Sequence, residues 1–414
     1  MRAMPNPAPA APAALPLSMA QVLLCGAAIV TLSMGIRHGF GLWLQPITMD
    51  RGWTRENFAF AIAVQNIAWG VAGPFAGMLA DRLGAYRVLL AGALLYSGGL
   101  VLMALSTSVA GFTGSAGLLL GMAQSGTTYA VVYGVIGRNV APEKRSWAMG
   151  VAAAAGSFGQ FLMVPVETWL ISAWGWQNAL FMLGCLALAI MPLALGLKEP
   201  AQAAATGFQQ SVGAAVREAF AHRSFRWLMA GYFVCGFQVV FIGVHMPSYL
   251  KDHGMAPGVA TVALALIGLF NVLGTYTAGW LGGRLPKRYI LSGIYALRAV
   301  VISVFLLVPL TPASVYIFAA AMGLLWLSTV PPTNALVAQI FGVQYMSMLG
   351  GFVFFSHQVG SFLGAWLGGR LYDMTGNYDT VWGIAIALGV FAALANLPVR
   401  EEAIQRGLPA GAAA

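Results

Sequence analysis

Arg37 is the residue of this sequence best suited to bind an anion, because it stands toward one end of the first long apolar run, within Ser33–Gly41. If that run crosses a membrane, a guanidinium there is costly unless it faces water or a partner. We interpret Arg37 as a candidate ligand for a negatively charged substrate. The alternatives are an ion pair with Glu167 near the helix ends, or snorkelling to the membrane surface.

Three histidines also lie within apolar runs, where an imidazole could bind an oxyanion or take up a proton near physiological pH: His38, His245 and His357. His357 precedes Gln358, and we predict that it contacts substrate or carries a coupling proton. His245 precedes Pro247, which frees backbone carbonyls that an imidazole could satisfy. For His245 both a substrate contact and a structural role stay open.

A short charged turn, Gly77–Arg87, separates two of the apolar runs. Its glycines would let two helix ends approach closely, and its carboxylate could hold a neighbouring helix end through charge-assisted hydrogen bonds. The turn returns 202 positions later, at Gly279–Arg288, where Gly283 replaces the acid. We predict a one-sided gate formed by Gly77, Asp81, Arg82, Gly84, Arg87 and Arg284.

The composition of the chain is that of a membrane protein. Hydrophobic residues make up 59% of the sequence and charged residues 8%, against roughly 25% charged residues in soluble domains. This excludes a soluble globule, and with it the nucleic-acid binding that a net charge of +9 would otherwise suggest. Cys25, Cys185 and Cys235 lie in apolar runs, which favours buried small side chains over disulfides or metal ligands.

Twelve apolar stretches reach the length of about 20 residues that is needed to cross a bilayer. A long polar connection, residues 198–224, divides them six and six. The sequence therefore predicts an all-α polytopic membrane protein with two six-helix bundles, at residues 18–197 and 225–398. We expect residues 1–17 to be a disordered tail without a cleaved signal peptide, and residues 399–414 to be a second tail.

Basic residues are distributed unequally between the two sides of the predicted bundles. With both chain ends on one side, fifteen of the 21 Lys and Arg residues fall in connections on that side and four on the other. Basic loops are retained in the cytoplasm. The excess therefore predicts cytoplasmic termini and an integral protein of the plasma (inner) membrane.

An internal repeat relates the two predicted bundles. Seven matches at an offset of 201 or 202 residues, among them Gly35 with Gly236, follow the six-plus-six division. A parallel repeat predicts bundles around an axis along the membrane normal, with a substrate site between them near mid-depth. At this offset Arg37 pairs with Gln238, which we predict to bind the same substrate from the other bundle.

The turn Gly77–Arg87 resembles the loop signature of the major facilitator superfamily, and the resemblance extends over all twelve spans. The segment Gly364–Tyr378 is similar to the end of the eleventh span in the monocarboxylate transporter and oxalate:formate antiporter group. The resemblance implies two bundles that rock between inward-open and outward-open states, with spans one, four, seven and ten lining the cavity. It also implies that the ninth span is peripheral, which favours a structural or snorkelling role for Arg298.

The resemblance further implies a basic residue in the eighth span that holds a substrate carboxylate, and here the sequence departs from the family. The eighth span is uncharged, and the expected basic and acidic positions fall near Thr275 and Asn271, so Asn271 becomes a candidate contact. Polar and aromatic side chains on the lining spans could orient a small solute, or could instead hold helices together. They are Gln124, Thr128 and Tyr129 in the fourth span, and Trp326, Thr329, Thr333 and Asn334 in the tenth.

We predict a secondary active transporter for a small organic anion of the monocarboxylate class, working by proton symport or by exchange. Its expected partners are the substrate, protons and the lipid bilayer, and it is expected to be monomeric. Sodium coupling is disfavoured because Glu167 is the one acid within the predicted spans. The alternatives are a transporter or exporter of neutral or amphipathic solutes and a facilitative, channel-like carrier.

Motifs for enzymatic chemistry are absent from the sequence. It contains no Gly-x-x-x-x-Gly-Lys phosphate loop, no His/Glu cluster with zinc spacing and no Gly-x-Ser-x-Gly elbow. The sequence therefore predicts no catalytic residues, no cofactor and no metal site, and argues against an ATP-driven pump.

Overall fold

The computed structural model describes residues 17–140, 142–198, 212–342 and 346–404. Within these ranges every regular element is a helix, which confirms the all-α fold. The first half of the chain forms a 3-10 helix at Phe40–Trp43, a π-helix at Thr113–Leu119 and these α-helices: α1 (Met19–His38), α2 (Leu44–Arg51), α3 (Arg55–Leu83), α4 (Ala85–Leu105), α5 (Val109–Phe112), α6 (Leu120–Thr127), α7 (Tyr129–Asn139), α8 (Pro142–Ala187) and α9 (Ile190–Leu195).

The described helices of the second half begin inside the predicted polar connection 198–224. They are α10 (Val212–Ala221), α11 (Arg223–Asp252), α12 (Pro257–Gly282), α13 (Lys287–Leu307), α14 (Pro312–Leu325), α15 (Val330–Phe341), α16 (Met346–Thr375) and α17 (Asp379–Asn396). The boundaries of the two bundles stay a prediction. Of the tails predicted at residues 1–17 and 399–414, residues 1–16 and 405–414 lie outside the described ranges, whereas Ile404 is described and its N–H donates to the Ile340 carbonyl at 2.9 Å.

Nine stretches of the described helices are long and apolar enough to cross a membrane. The longest, Ala148–Leu195, has 48 residues, about twice the length that one crossing needs. Gly175 breaks this stretch with a φ of 77°, a backbone conformation that favours glycine. The predicted number of twelve crossings remains a prediction.

Two of the predicted lining spans are broken near their middles, at corresponding positions of the repeat. The fourth span changes from α6 to α7 at Thr128, whose φ of −113° and ψ of −160° are extended. The tenth span changes from α14 to α15 between Trp326 and Thr329, and Thr329 lies 201 residues after Thr128. Pro331 and Pro332 follow this second break and lack the N–H groups that a continuous helix requires. Each break leaves main-chain polar groups available inside the bundle.

The two ends of the molecule differ in how closely the halves of the chain approach. We call the end formed by Arg51–Arg55, Asp252–Pro257 and Thr375–Asp379 the distal face, and the opposite end, with the α3–α4 and α12–α13 turns, the proximal face. Near the distal face a Cβ added to Gly41 would collide with the carbonyl of Gly243 on α11. The first and second halves are therefore in backbone contact there.

A seam between α3 and α16 is closed at one end and open at the other. Gln358 donates from Nε2 to the Asn66 carbonyl at 3.1 Å, and a Cβ on Gly70 would lie 3.0 Å from the Gln358 side chain. Residues seven apart share a helix face, so Gly77 and Gly351 continue this seam toward the proximal face. A Cβ on either would meet no described neighbour within 4 Å. The seam therefore closes toward the distal face and opens toward the proximal one.

Gly369 and Gly351, both on α16, offer a matched pair of substitutions. A Cβ on Gly369 would lie 2.8 Å from the Arg55 carbonyl, so Gly369→Ala should loosen the distal contact while Gly351→Ala leaves it intact. Spin labels on the exposed positions Met49 and Thr380, one in each half, would report the distance across the distal face. We expect a longer and broader distance distribution for Gly369→Ala, and the same distribution in both variants would contradict the closed seam.

Candidate functional site

A cavity lies between the two halves, beside the broken tenth span. Its volume is about 30 Å³, and it is partly open to solvent. One wall comes from α1, the following 3-10 helix, α3 and α8, and the other from α11 and the break after α14. Its lining is largely apolar, and its polar or charged residues are Arg37, His38, Gln65, Gln160 and Trp326. Gly41 and Gly243, which meet near the distal face, also line it, so the cavity lies between the halves and borders their distal contact.

Arg37 is half-buried at this cavity and is held on one side only. Its Nη2 donates to Asn66 Oδ1 at 2.5 Å, and its Cζ lies 4.9 Å from the centre of the Trp69 ring. Nε has no hydrogen-bond partner. Across the described part of the chain no carboxylate comes within 4.0 Å of this guanidinium, so the alternative ion pair with Glu167 is not formed. Arg37 is thus a cavity-lining cation with unused hydrogen-bonding capacity.

Three further polar residues of the cavity wall carry atoms without a hydrogen-bond partner among the described residues. Gln65 donates to the Ala116 carbonyl at 2.7 Å and Gln160 donates to the Leu264 carbonyl at 2.9 Å, but the Oε1 atom of each amide is unpaired. The indole Nε1 of Trp326 is also unpaired. Sequence reasoning missed both glutamines, although an amide inside an apolar run was a signal that could have identified them.

Gln238 is not placed to share a ligand with Arg37, as the repeat had suggested. It is completely buried, donates to the Ala385 carbonyl at 2.9 Å, and accepts from Arg298 Nη1 at 3.3 Å. These bonds direct its amide toward α13 and α17 rather than toward the cavity. In this conformation the predicted clamp of Arg37 and Gln238 is therefore not assembled.

Arg298 stabilises the broken tenth span. Its guanidinium is completely buried and donates to the carbonyls of Leu325 and Trp326, the last residue of α14 and the one after it. Cations are favourable at helix C-termini, where carbonyl groups lack partners. Burial excludes the snorkelling alternative, and the structural alternative accounts for all of these contacts. Trp326 lines the cavity and Arg298 does not, so Arg298 holds part of the cavity wall in place from behind.

The two buried histidines lie away from the cavity lining. His245 is completely buried, with Nε2 2.8 Å from the Ala365 carbonyl and Nδ1 3.2 Å from the Tyr378 hydroxyl. His357 is 8% exposed, and its Nδ1 is 3.1 Å from Gln358 Oε1. A role for His357 in proton coupling stays a prediction.

The remaining polar candidates mostly make contacts within the protein. Asn271 joins the halves, because its Nδ2 donates to Ser157 Oγ at 2.9 Å and its Oδ1 accepts from the Leu327 N–H at 3.0 Å. Asn334 donates to a carbonyl of its own helix at 3.0 Å. Gln124 is buried just before the break at Thr128, and the ring of Tyr129 lies 5.5 Å from that of Tyr133. Their predicted contacts with substrate stay predictions.

The predicted gate at the charged turn is described only in part. The backbone shows why Gly84 is needed, since it joins α3 to α4 with a φ of 88°. The side chains of Asp81 and Arg82 lie outside the described part of the structure. Arg284 is exposed, with its Cζ 3.6 Å from the centre of the Trp280 ring. The gating role of this turn, including Arg87, stays a prediction.

At the distal face a charged network joins the halves, and sequence reasoning did not identify it. Arg55 at the start of α3 donates to both carboxylate oxygens of Asp252 at 2.7 and 2.6 Å and to the Tyr378 hydroxyl at 2.9 Å. Its Cζ lies 3.8 Å from the centre of the Tyr372 ring. Burial raises the pKa of Tyr378, so its phenol stays neutral and can donate to His245.

A second set of contacts fixes the first turn of α3 against α16. Asp373 accepts from the N–H groups of Arg55 and Glu56, at 3.3 and 2.7 Å, which satisfies free donors at the helix N-terminus. The Glu56 carboxylate accepts from Arg370 and from the Trp366 indole, each at 3.0 Å. Charged side chains from both halves of the chain therefore hold the distal face closed.

Comparison with known proteins gives one family and a consistent set of relatives. The family model of the Major Facilitator Superfamily matches residues 23–365. The uncharacterised MFS-type transporter YcxA of Bacillus subtilis (strain 168) is 25% identical over 391 residues, covering 88% of this chain and 91% of that protein. Monocarboxylate transporter 13 of Rattus norvegicus is 26% identical, with coverages of 79% and 75%. Monocarboxylate transporter 11 of Homo sapiens is also 26% identical, with coverages of 85% and 76%.

Solved structures show the same fold at low identity. A bacterial homologue of the human lysosomal transporter Spinster, in an inward-facing and occupied conformation, superposes with a TM-score of 0.71. The two chains are 14% identical over 91% of this chain and 95% of the other. The inward-facing, unoccupied form of that homologue gives a TM-score of 0.68.

Proposed function

Because this chain belongs to the major facilitator superfamily and is therefore an integral membrane transporter rather than an enzyme, we propose that it carries small monocarboxylate anions by alternating access. The observation that carries this proposal is the position of Arg37. This residue is a cavity-lining cation between the halves, without a carboxylate partner in the described part of the chain. A carboxylate can take two parallel hydrogen bonds from a guanidinium, which favours Arg over other cations for this task.

The cavity lining and the relatives support the same class of substrate. Phe40, Val239 and Val244 supply apolar surface beside Arg37, which suits a ligand with one charged group and a short carbon skeleton. Two of the relatives described above are named monocarboxylate transporters. The apolar lining also favours the second candidate, a carrier of amphipathic solutes, in which Arg37 would serve structure alone.

The proposed transport cycle uses the two faces in turn. The unequal distribution of basic residues supports a cytoplasmic proximal face, so the closed distal network and the open α3–α16 seam correspond to an inward-facing state. In the opposite state the seam would close around Gly77 and Gly351, next to the charged turn of Asp81 and Arg82. The gate predicted from the sequence would then act where the present structure is open.

Uptake into proteoliposomes tests the proposed substrate class. We expect uptake of labelled glycolate, which competing short monocarboxylates inhibit and their amides do not, because the amides lack the charge that Arg37 binds. An inward proton gradient should increase the uptake, and replacement of sodium should leave it unchanged. Equal inhibition by acids and by amides would contradict the anion proposal and favour the amphipathic one.

A further inference from the structure

We propose that Glu167 is a proton-binding site of this transporter and that it is protonated while the distal face is closed. The proposal rests on the proposed function, because it assigns the group that would carry a proton together with a monocarboxylate. It differs from the sequence prediction, which placed proton coupling at His357.

The surroundings of Glu167 suit a neutral carboxylic acid. The side chain projects from α8 and is completely buried. One carboxyl oxygen, Oε2, accepts from the indole Nε1 of Trp43 at 2.9 Å, whereas Oε1 has no partner among the described residues. Gly39 provides the space, since a Cβ at that position would overlap the carboxyl group. The site is thus a closed pocket that fits this carboxyl group and offers it a single neutral donor.

The charged and titratable groups around this pocket do not neutralise a carboxylate. From α1 they are Arg37, which is engaged with Asn66, and His38, whose Nδ1 is 2.6 Å from the Met34 carbonyl. From α4 the group is the phenol of Tyr96, and α12, which packs on α8, carries no charge. Among the described residues no cation lies within 4.0 Å of Glu167. An ionised carboxylate left in this way is strongly disfavoured, so the group binds a proton instead.

The position of Trp43 connects this pocket to the distal face. Trp43 belongs to the 3-10 helix at Phe40–Trp43, and that helix packs against α11 of the other half, where Gly41 meets the Gly243 carbonyl. Opening the distal face must separate these two surfaces. Water would then reach the 3-10 helix and lower the cost of a charge on Glu167. Glu167 would therefore exchange its proton with the distal side and keep it after closure.

The charges balance in this scheme. One proton on Glu167 and one monocarboxylate on Arg37 together add no net charge to the protein while it changes between its two states. Both sites adjoin the same short segment of the first span. Arg37 lies two residues before Gly39 in the chain, and the Glu167 carboxyl group packs against Gly39. Both ligands would therefore act on the point where α1 gives way to the 3-10 helix.

Infrared spectroscopy of the purified protein tests the proton site without any substrate. At neutral pH we expect the carbonyl stretch of a protonated carboxylic acid in the wild type, and its loss in Glu167→Gln. Glu402→Gln, the same change at an exposed position, and His357→Gln should keep the band. Trp43→Phe should keep the band but shift its frequency, because the hydrogen bond to the carboxyl group is removed. A spectrum that is unchanged in both Glu167→Gln and Trp43→Phe would overturn the proposal.

Transport supplies an independent readout of the same site. In proteoliposomes with a proton gradient, Glu167→Gln should accumulate at least about tenfold less glycolate than the wild type. The reason is that a coupling interaction made in one state is removed. It should keep glycolate exchange at equal pH, which also shows that the variant is folded. Accumulation by Glu167→Gln with the pH dependence of the wild type would overturn the proposal for Glu167 alone. Absence of glycolate uptake by the wild type would contradict the proposed function, and the infrared result would still decide the proton site.

Discussion

Replacing Arg37 with glutamine should nearly abolish the binding of glycolate to the purified transporter. The substitution removes the cation that lines the cavity and leaves the bound carboxylate without a counter-charge. Breaking one partner of a buried ion pair costs about 3 kcal/mol or more, which corresponds to a loss of roughly a hundredfold in affinity. Arg37→Lys keeps the charge but loses the planar fork, so we expect an intermediate loss of about tenfold.

Ligand-induced thermal stabilisation measures this loss, because it depends on occupancy rather than on transport rate. Arg400→Gln removes the same charge at an exposed position outside the cavity and should retain full stabilisation by glycolate. If Arg37→Gln is stabilised by glycolate as strongly as Arg400→Gln, Arg37 is a structural partner of Asn66 and Trp69. The carboxylate proposal would then lose the charge on which it depends.

Removing the ion pair of Arg55 and Asp252 should open the distal face. The two side chains are 13% and 25% exposed, so water screens their attraction only in part. The pair should stabilise the closed distal face by about 1–3 kcal/mol, enough to change a populated state into a minor one. Arg55→Gln and Asp252→Asn should each lengthen the distance between labels at Met49 and Thr380.

A double-mutant cycle separates this pair from the rest of the network. The combined variant should open the distal face little more than either single variant, because the interaction is already lost. Asp379→Asn removes an exposed carboxylate from the same face and serves as the matched control. Strictly additive effects of Arg55→Gln and Asp252→Asn on the label distances would show that the two side chains act independently, contrary to the observed bidentate contact.

The location of the predicted gate illustrates how far sequence reasoning reached. The glycine-rich turn with Asp81 and Arg82 was found because its residues are adjacent in the chain. The closed network at the distal face was missed because Arg55 and Asp252 are 197 positions apart, and Arg55 and Tyr378 are 323 apart. Each is an ordinary loop or helix-end residue in the sequence. Only the way in which the loops meet makes them partners.

The internal repeat relates two breaks in the backbone, but it does not specify the partners of side chains at matching positions. Thr128 and Thr329, 201 residues apart, both mark breaks in their spans. Arg37 and Gln238 have the same spacing, yet Gln238 is held by Arg298 on a neighbouring helix. A repeat fixes the course of the backbone, whereas a buried amide turns toward whichever donor or acceptor lies nearest. That choice differs between the halves because the sequences around the two positions differ.

The sequence by itself determined that this protein is a helical membrane transporter with a cation inside its first span, because composition, span length and local motifs follow from residues close together in the chain. The tertiary structure decided which polar groups face the cavity, which face is closed, and that Glu167 meets Trp43 instead of Arg37. These outcomes depend on the packing of α1, α3, α8, α11 and α16 against one another. The physical reason is that a buried polar group is defined by its neighbours in space, and residue spacing along the chain does not specify them.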